Sequence, residues 1–329
     1  MDTHYLRFIG RHIKKNNKDY FSYSGCGFEF AVISNKTRCI IKLSLISELQ
    51  ECDYQFIAIY INDVFHCKEK LTAGVNTKEI HISSVAKEHT IKIIKLNETY
   101  LSSIYLDDIV LFDAQFVPME PSNKKLIGFY GDSITCGYGI MGKANQPFMM
   151  ETEDFTKTYA YLACLALNMD YTVIARSGIS VALKIWCDKE YHEIYDTVDM
   201  YEKGKDDRTV DYAVISLVTN DCTAYLNNVK EEDKPVALIR FKEEYIRLID
   251  RIIKDNPNVK ILMAYNMLPI HPIFITALKE TYEYAISHFQ NPIHLVEFIP
   301  NDNGGACHPH YSEHKNNAQI LVEAIKDFI

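Results

Sequence analysis

No apolar run in this 329-residue chain reaches the ~18 residues that a membrane-spanning helix needs. The opening stretch, MDTHYLRFIGRHIKKNNKDY, lacks the apolar core of a secretory signal. No two of the nine cysteines form a CxxC, and an odd number cannot all pair. Free thiols in a reducing, cytoplasmic setting are therefore the simpler expectation. Positive charge is in deficit as well: 35 Lys+Arg stand against 44 Asp+Glu, for a net charge of -9. A surface of that sign repels phosphate backbones and anionic lipid, so nucleic acid and membrane are poor partners. What is present is ordinary: 47% hydrophobic and 24% charged residues exclude a disordered regulator or a low-complexity scaffold. At ~100–200 residues per domain, the length fits two domains.

The chain changes rhythm near residue 120. Before it come short β-rich runs at Phe28–Ser34, Cys39–Ile46, Tyr54–Asn62, Lys78–Val85, Thr90–Asn97 and Tyr105–Phe116. Several alternate apolar with polar residues, and Asn62-Asp63 and Gly74 supply turns between them. Many short strands without a long helical period predict an antiparallel sandwich over residues 1–120. Pro118 and Pro121 mark the boundary. From 121 to 329 the pattern alternates strand and helix. Strands are expected at Leu126–Gly131, Tyr171–Ala175, Asp211–Leu217, Val259–Tyr265 and Ile293–Phe298. Helices are expected near Thr156–Leu167, around Leu238–Ile252, at Phe274–Phe289 and at the C-terminus, where Ala318, Leu321, Ile325 and Phe328 share a face. That alternation predicts an α/β domain with a parallel sheet covered on both faces.

In such a sheet the binding crevice lies beyond the carboxyl ends of the strands. The first strand runs into Gly131-Asp132-Ser133-Ile134, a tight turn expected to hold Ser133 in the open. The second ends at Arg176-Ser177-Gly178, where a residue without a side chain lets a backbone N–H approach a ligand. The third ends at Thr219-Asn220-Asp221, with the Asn220 amide as a donor. The N–H groups of Ser133 and Gly178 and the Asn220 amide form a candidate oxyanion hole. A serine hydroxyl needs a base within hydrogen-bond reach, and His308, in Cys307-His308-Pro309, is the candidate.

GDSI, a lone Gly, TND and a C-terminal His-Pro, in that order, resemble the GDS(L)/SGNH hydrolase superfamily. Within it, Gly131-Asp132-Ser133-Ile134-Thr135-Cys136-Gly137-Tyr138-Gly139 is similar to carbohydrate esterase family 2. Gly10-Arg11, Lys95-Leu96-Asn97-Glu98 and Glu153-Asp154-Phe155 also look family-like. The resemblance implies a jelly-roll-like sandwich ahead of a three-layer SGNH α/β domain. It implies a serine esterase that removes O-acetyl groups from xylo- or manno-oligosaccharides through an acetyl-enzyme. Ser133 is then the nucleophile, His308 the base, and Gly178 and Asn220 the oxyanion donors. No cofactor is implied. Two departures stand out. Val218 replaces the usual glycine of the third block, and the usual triad acid is missing, with Gly305 and Ala306 in its places. A Ser–His dyad with Nδ1 on a main-chain oxygen is expected, against a displaced carboxylate from Asp302 or Glu313. Another lipid or aryl esterase of the superfamily, or a non-catalytic carbohydrate-binding protein, fits the same motifs.

Other signals have bland readings. Gly137 to Gly142 satisfies GxGxxG, but it does not directly follow a strand and no helix start follows it, so a flexible loop beside the serine is expected. His310-Tyr311-Ser312-Glu313-His314 reads as HxxEH, yet no further acidic zinc ligand lies far enough downstream. The two histidines are expected on the first turn of a surface helix. Trp186 and Asp132 are candidate substrate contacts, the indole as a wall for a pyranose. Cys136, Cys222 and Cys307 lie beside site residues but are expected to be packing residues.

Overall fold

The computed structural model describes residues 3–83, 87–205 and 208–328. It divides into two compact units, one of Met1–Asn123 with Val198–Asp206, the other of Lys124–Thr197 with Asp207–Ile329.

The first unit contains β1 (Arg7–Ile9), β2 (Ile13–Lys15), β3 (Lys18–Phe21), β4 (Gly27–Ser34), β5 (Cys39–Leu49), β6 (Tyr54–Ile61), β7 (Val64–Thr72), β8 (Gly74–Ile82), β9 (Lys87–Lys95), β10 (Ser102–Phe112) and β11 (Gln115–Val117). They form two antiparallel sheets, β1-β4-β9-β6-β7 with β11 beside β4, and β2-β3-β10-β5-β8. Alternation drives this: Cys39, Ile41, Leu43 and Leu45 of β5 are buried while Lys42 is exposed. The run expected as one strand over Tyr105–Phe116 is two, because Asp113 at φ 58° turns the chain from one sheet into the other. Strands β1, β2, β3 and β7 were not expected; β7 (VFHCKEKLT) carries too many charges to read as a strand. Val85, at the end of another expected strand, lies outside the described residues.

Val198–Asp206, expected inside the second domain, belongs to this first unit. Tyr20 Oη donates to Asp199 Oδ2 at 2.9 Å and Tyr23 Oη to the Asp199 carbonyl at 2.7 Å. Val198 packs against Tyr20 and Tyr105. Nothing in the local pattern of this largely polar stretch shows where its partners lie.

The second unit holds β12 (Leu126–Gly131), β13 (Asp170–Ala175), β14 (Tyr212–Ser216), β15 (Lys260–Tyr265) and β16 (Ile293–Glu297) in one parallel sheet, ordered β13-β12-β14-β15-β16. Its helices are α1 (Ser133–Cys136), α2 (Tyr159–Leu167), α3 (Tyr191–Ile194), α4 (Thr219–Asn227), α5 (Lys234–Asp255), α6 (Pro272–His288) and α7 (Tyr311–Lys326). Every residue of β12 and β14 is buried, as continuous apolar runs in a sheet covered on both faces require. Helix α5 starts with Pro235 in its first turn and buries Phe241, Tyr245, Leu248, Ile249 and Ile252, of which the four purely apolar side chains contribute about 1.5–3 kcal/mol each. Strand order reverses between β12 and β14, so the crevice of this fold opens at their carboxyl ends.

Candidate active site

Ser133 begins α1, directly after β12. Asp132 caps that short helix, its Oδ1 accepting the Ile134 N–H at 3.0 Å. Asp132, expected as a substrate contact, is only 1% exposed and holds the nucleophile turn instead. Ser133 is not held in the open either: it is 8% exposed. Its Oγ lies 2.8 Å from His308 Nε2, and His308 Nδ1 lies 2.8 Å from the Ala306 carbonyl oxygen. That oxygen can only accept, so Nδ1 carries the proton and Nε2 presents its lone pair to the serine hydroxyl. Among the described residues no carboxylate hydrogen-bonds to His308. Asp302 is exposed on the surface, and Glu313 accepts from Ser312 Oγ at 2.9 Å. Burial pushes the His308 pKa below the ordinary histidine value, and the Ala306 carbonyl pulls it partly back.

The sheet alone does not bring His308 to Ser133, because β16 is the edge strand and β12 lies three strands away. The connection is made by backbone. Gly305 N–H donates to the Gly139 carbonyl at 2.9 Å, Ala306 N–H to Gln146 at 2.7 Å and Tyr311 N–H to Ile140 at 3.0 Å. The glycines of the GxGxxG stretch allow this approach. A Cβ on Gly142 would sit 2.7 Å from Gly305 Cα, and one on Gly139, at φ 66°, would collide with the Gly305 carbonyl. The stretch is therefore neither a nucleotide cradle nor a free loop; it is the seat of the histidine segment. Ala306 and Cys307 both adopt positive φ, 50° and 57°, costing of order 1–3 kcal/mol each and turning the Ala306 carbonyl onto His308. Gly139→Ala is accordingly expected to lower kcat by about 10²-fold, the scale of a ~1 Å misplacement of a reacting group, with the loss read by steady-state kinetics.

Gly178 follows β13 and sits at φ +75°, with no room for a Cβ against Trp186. Its N–H and that of Ser133 have no hydrogen-bond acceptor among the described residues. Asn220, in the first turn of α4, donates from Nδ2 to the Ile179 carbonyl at 2.8 Å, with Asp132 Oδ2 at a long 3.4 Å. The amide thus ties all three strand ends together while its second hydrogen stays weakly held. Val218, the N-cap of α4, sits at φ −170°, outside the left-handed region that favours glycine.

Two residues, Tyr138 and Asp221, were not singled out from the sequence. Tyr138 stacks on Phe148 at 4.0 Å and lies 4.8 Å from the His308 ring, giving the base an aromatic flank. Its only signal was its place between two glycines of the first block. Asp221 is fully buried and accepts the N–H groups of Val181, Ala182 and Leu183, each at 2.8 Å. Burial pushes its carboxyl up to about 6 against the pull of those donors. Trp186, expected as a substrate wall, is 67% exposed beside Gly178.

The HxxEH stretch has structural duties. His310 caps α7, with Nδ1 3.0 Å from Ser312 Oγ. His314, expected on a surface turn, is instead buried, and its Nδ1 accepts the Tyr159 N–H at 3.1 Å. Burial pushes its pKa down to about 3, so it stays neutral. Among the described residues no cluster of three or more His, Cys, Asp or Glu side chains is placed to hold a metal ion. Cys136 and Cys222 are buried and Cys307 is exposed.

A serine–histidine pair at the switch point of a parallel sheet, beside unengaged backbone N–H donors, defines a hydrolase of the SGNH type. The chain belongs to the GDSL-like lipase/acylhydrolase family, whose model matches residues 127–313. It is 25% identical over 179 residues to the acetylxylan esterase / glucomannan deacetylase of Cellvibrio japonicus, a match covering 54% of this chain and 48% of that one. The matched region thus spans about half the length of that relative. Among solved structures it is similar to a family two carbohydrate esterase from Clostridium thermocellum in complex with cellohexaose (TM-score 0.87, 19% identity, 98% of each chain). It is also similar to an acetyl xylan esterase, Est2A, from Butyrivibrio proteoclasticus (TM-score 0.84, 19% identity, 100% of this chain and 97% of that one).

Proposed function

We propose that this protein is a carbohydrate esterase that removes O-acetyl groups from xylo- or manno-oligosaccharides by a serine mechanism. The observation that carries the reading is the 2.8 Å contact between Ser133 Oγ and a His308 Nε2 whose partner nitrogen is occupied by Ala306. In this reading Nε2 takes the hydroxyl proton as Ser133 Oγ attacks the acetyl carbonyl. The Ser133 and Gly178 N–H groups and the Asn220 amide meet the developing oxyanion. The imidazolium returns the proton to the sugar oxygen, which leaves, and water deacylates Ser133 by the same route in reverse. Without a carboxylate, the Ala306 carbonyl orients the ring and stabilises the imidazolium as a dipole, by less than a charge would. Trp186 offers a broad face for a pyranose. The relative's name, acetylxylan esterase / glucomannan deacetylase, supports both sugar classes.

Nine free cysteines suit a reducing compartment, and hence oligosaccharides rather than intact polymer as substrates. For the first unit we favour a jelly-roll-like domain. Sequence neighbours β4 and β5, like β9 and β10, fall in different sheets, which supports that topology.

The test is product analysis on acetylated xylo- and manno-oligosaccharides, with acetate release as the readout. Asn220→Ala should release acetate with kcat lowered by about 10²–10³-fold, as loss of one oxyanion donor does. An Asn220→Ala enzyme at full rate would remove the amide from the mechanism, and no acetate from any acetylated sugar would end the reading.

A further inference from the structure

We propose that Asp221 is a positioning residue for the oxyanion hole, setting the Gly178 N–H against the Asn220 amide. The inference rests on the serine-esterase reading. Asn220 and Asp221 are adjacent on the first turn of α4, and both grip the segment that follows β13. Asn220 Nδ2 holds the Ile179 carbonyl at 2.8 Å, and the Asp221 carboxylate takes three successive N–H groups, Val181 on Oδ2 and Ala182 and Leu183 on Oδ1. One helical turn thus carries one oxyanion donor and clamps the loop that carries a second, the Gly178 N–H. The choice of residue fits the task. Three convergent N–H donors need an acceptor with several lone pairs, which an ionised carboxyl has and an amide lacks on one of its two atoms. A buried carboxylate is costly unless so satisfied, and here no donor is spare. From the other side, Arg240 of α5 donates to the Ala182 carbonyl at 2.6 Å and pairs with Glu190, whose neighbour Tyr191 donates its N–H to Ser180 at 2.9 Å.

Asp221→Asn turns one acceptor into a donor facing the Val181 N–H. With p-nitrophenyl acetate, kcat should fall about 10²-fold with KM unchanged, the scale of losing one aligned donor. In an Asn220→Ala background the same substitution should cost only about 3-fold or less, because both changes damage one device. A merely structural role would give multiplying losses, and that outcome, or full kcat in the single variant, would overturn the proposal. Amide hydrogen exchange gives a readout apart from turnover. Val181, Ala182 and Leu183 should lose protection in Asp221→Asn while β12 and β14 keep theirs, and unchanged protection counts against the clamp. Should Asp221→Asn fail to fold, Arg240→Gln loosens the same segment from its solvent side. It should lower kcat several-fold at constant KM, and an unaltered kcat there sinks the idea. Wild-type turnover abolished by Ser133→Ala, together with an unaffected Asp221→Asn, would reject this inference while leaving the esterase reading standing.

Discussion

Ser133→Ala is expected to lower kcat for ester hydrolysis by about 10⁶-fold, the scale on which removing the nucleophile of a serine–histidine set acts. The hydroxyl is the attacking atom, and among the described residues no other serine or threonine oxygen is hydrogen-bonded to His308. The fold should survive. Asp132 caps α1 through the Ile134 N–H, and β12 is buried throughout, so neither depends on the Ser133 hydroxyl. The lost hydrogen bond to His308 is worth about 1 kcal/mol. Circular dichroism and a thermal melt should therefore resemble the wild type while p-nitrophenyl acetate turnover disappears. Near-normal turnover in this variant would refute the serine mechanism outright.

His308→Gln should be nearly as damaging, and the double variant with Ser133→Ala hardly worse than either alone, because the two residues act as one unit. The pH profile carries the sign of the argument. Only neutral imidazole can accept the serine proton, so activity falls as pH drops through the His308 pKa. Burial lowers that pKa, so the acidic limb should lie below the ordinary histidine value of 6.5. A carboxylate at Nδ1 would have moved it upward instead. Asp302→Asn and Glu313→Gln should leave both kcat and the limb in place. A limb above 6.5 that collapses in either variant would restore a charged third member and end the dyad.

Much of this site was legible in order along the chain. Local apolar runs located all five strands of the parallel sheet, since burial on both faces of β12 to β15 leaves no polar alternation to obscure them, and the partly exposed edge strand β16 is still apolar at Ile293, Leu295 and Val296. Ser133, Gly178 and Asn220 could be placed at strand ends because strands and turns are decided within a few residues. The expectation that Ser133 stands exposed failed, because the His308 segment that packs over it comes from 175 residues further along the chain. Tertiary structure likewise decided the use of residues whose partners are remote. His314 looks like a surface or metal histidine until α2 brings the Tyr159 N–H to it. Gly139 and Gly142 look like a phosphate cradle until Gly305 closes against them. Asp221 looks like one more acid on an early helical turn until the segment after β13 folds three N–H groups onto it. Local chemistry can be read from neighbours in sequence. The partner of a buried donor or acceptor is chosen by packing, and a sequence lists which groups must be satisfied without saying by whom.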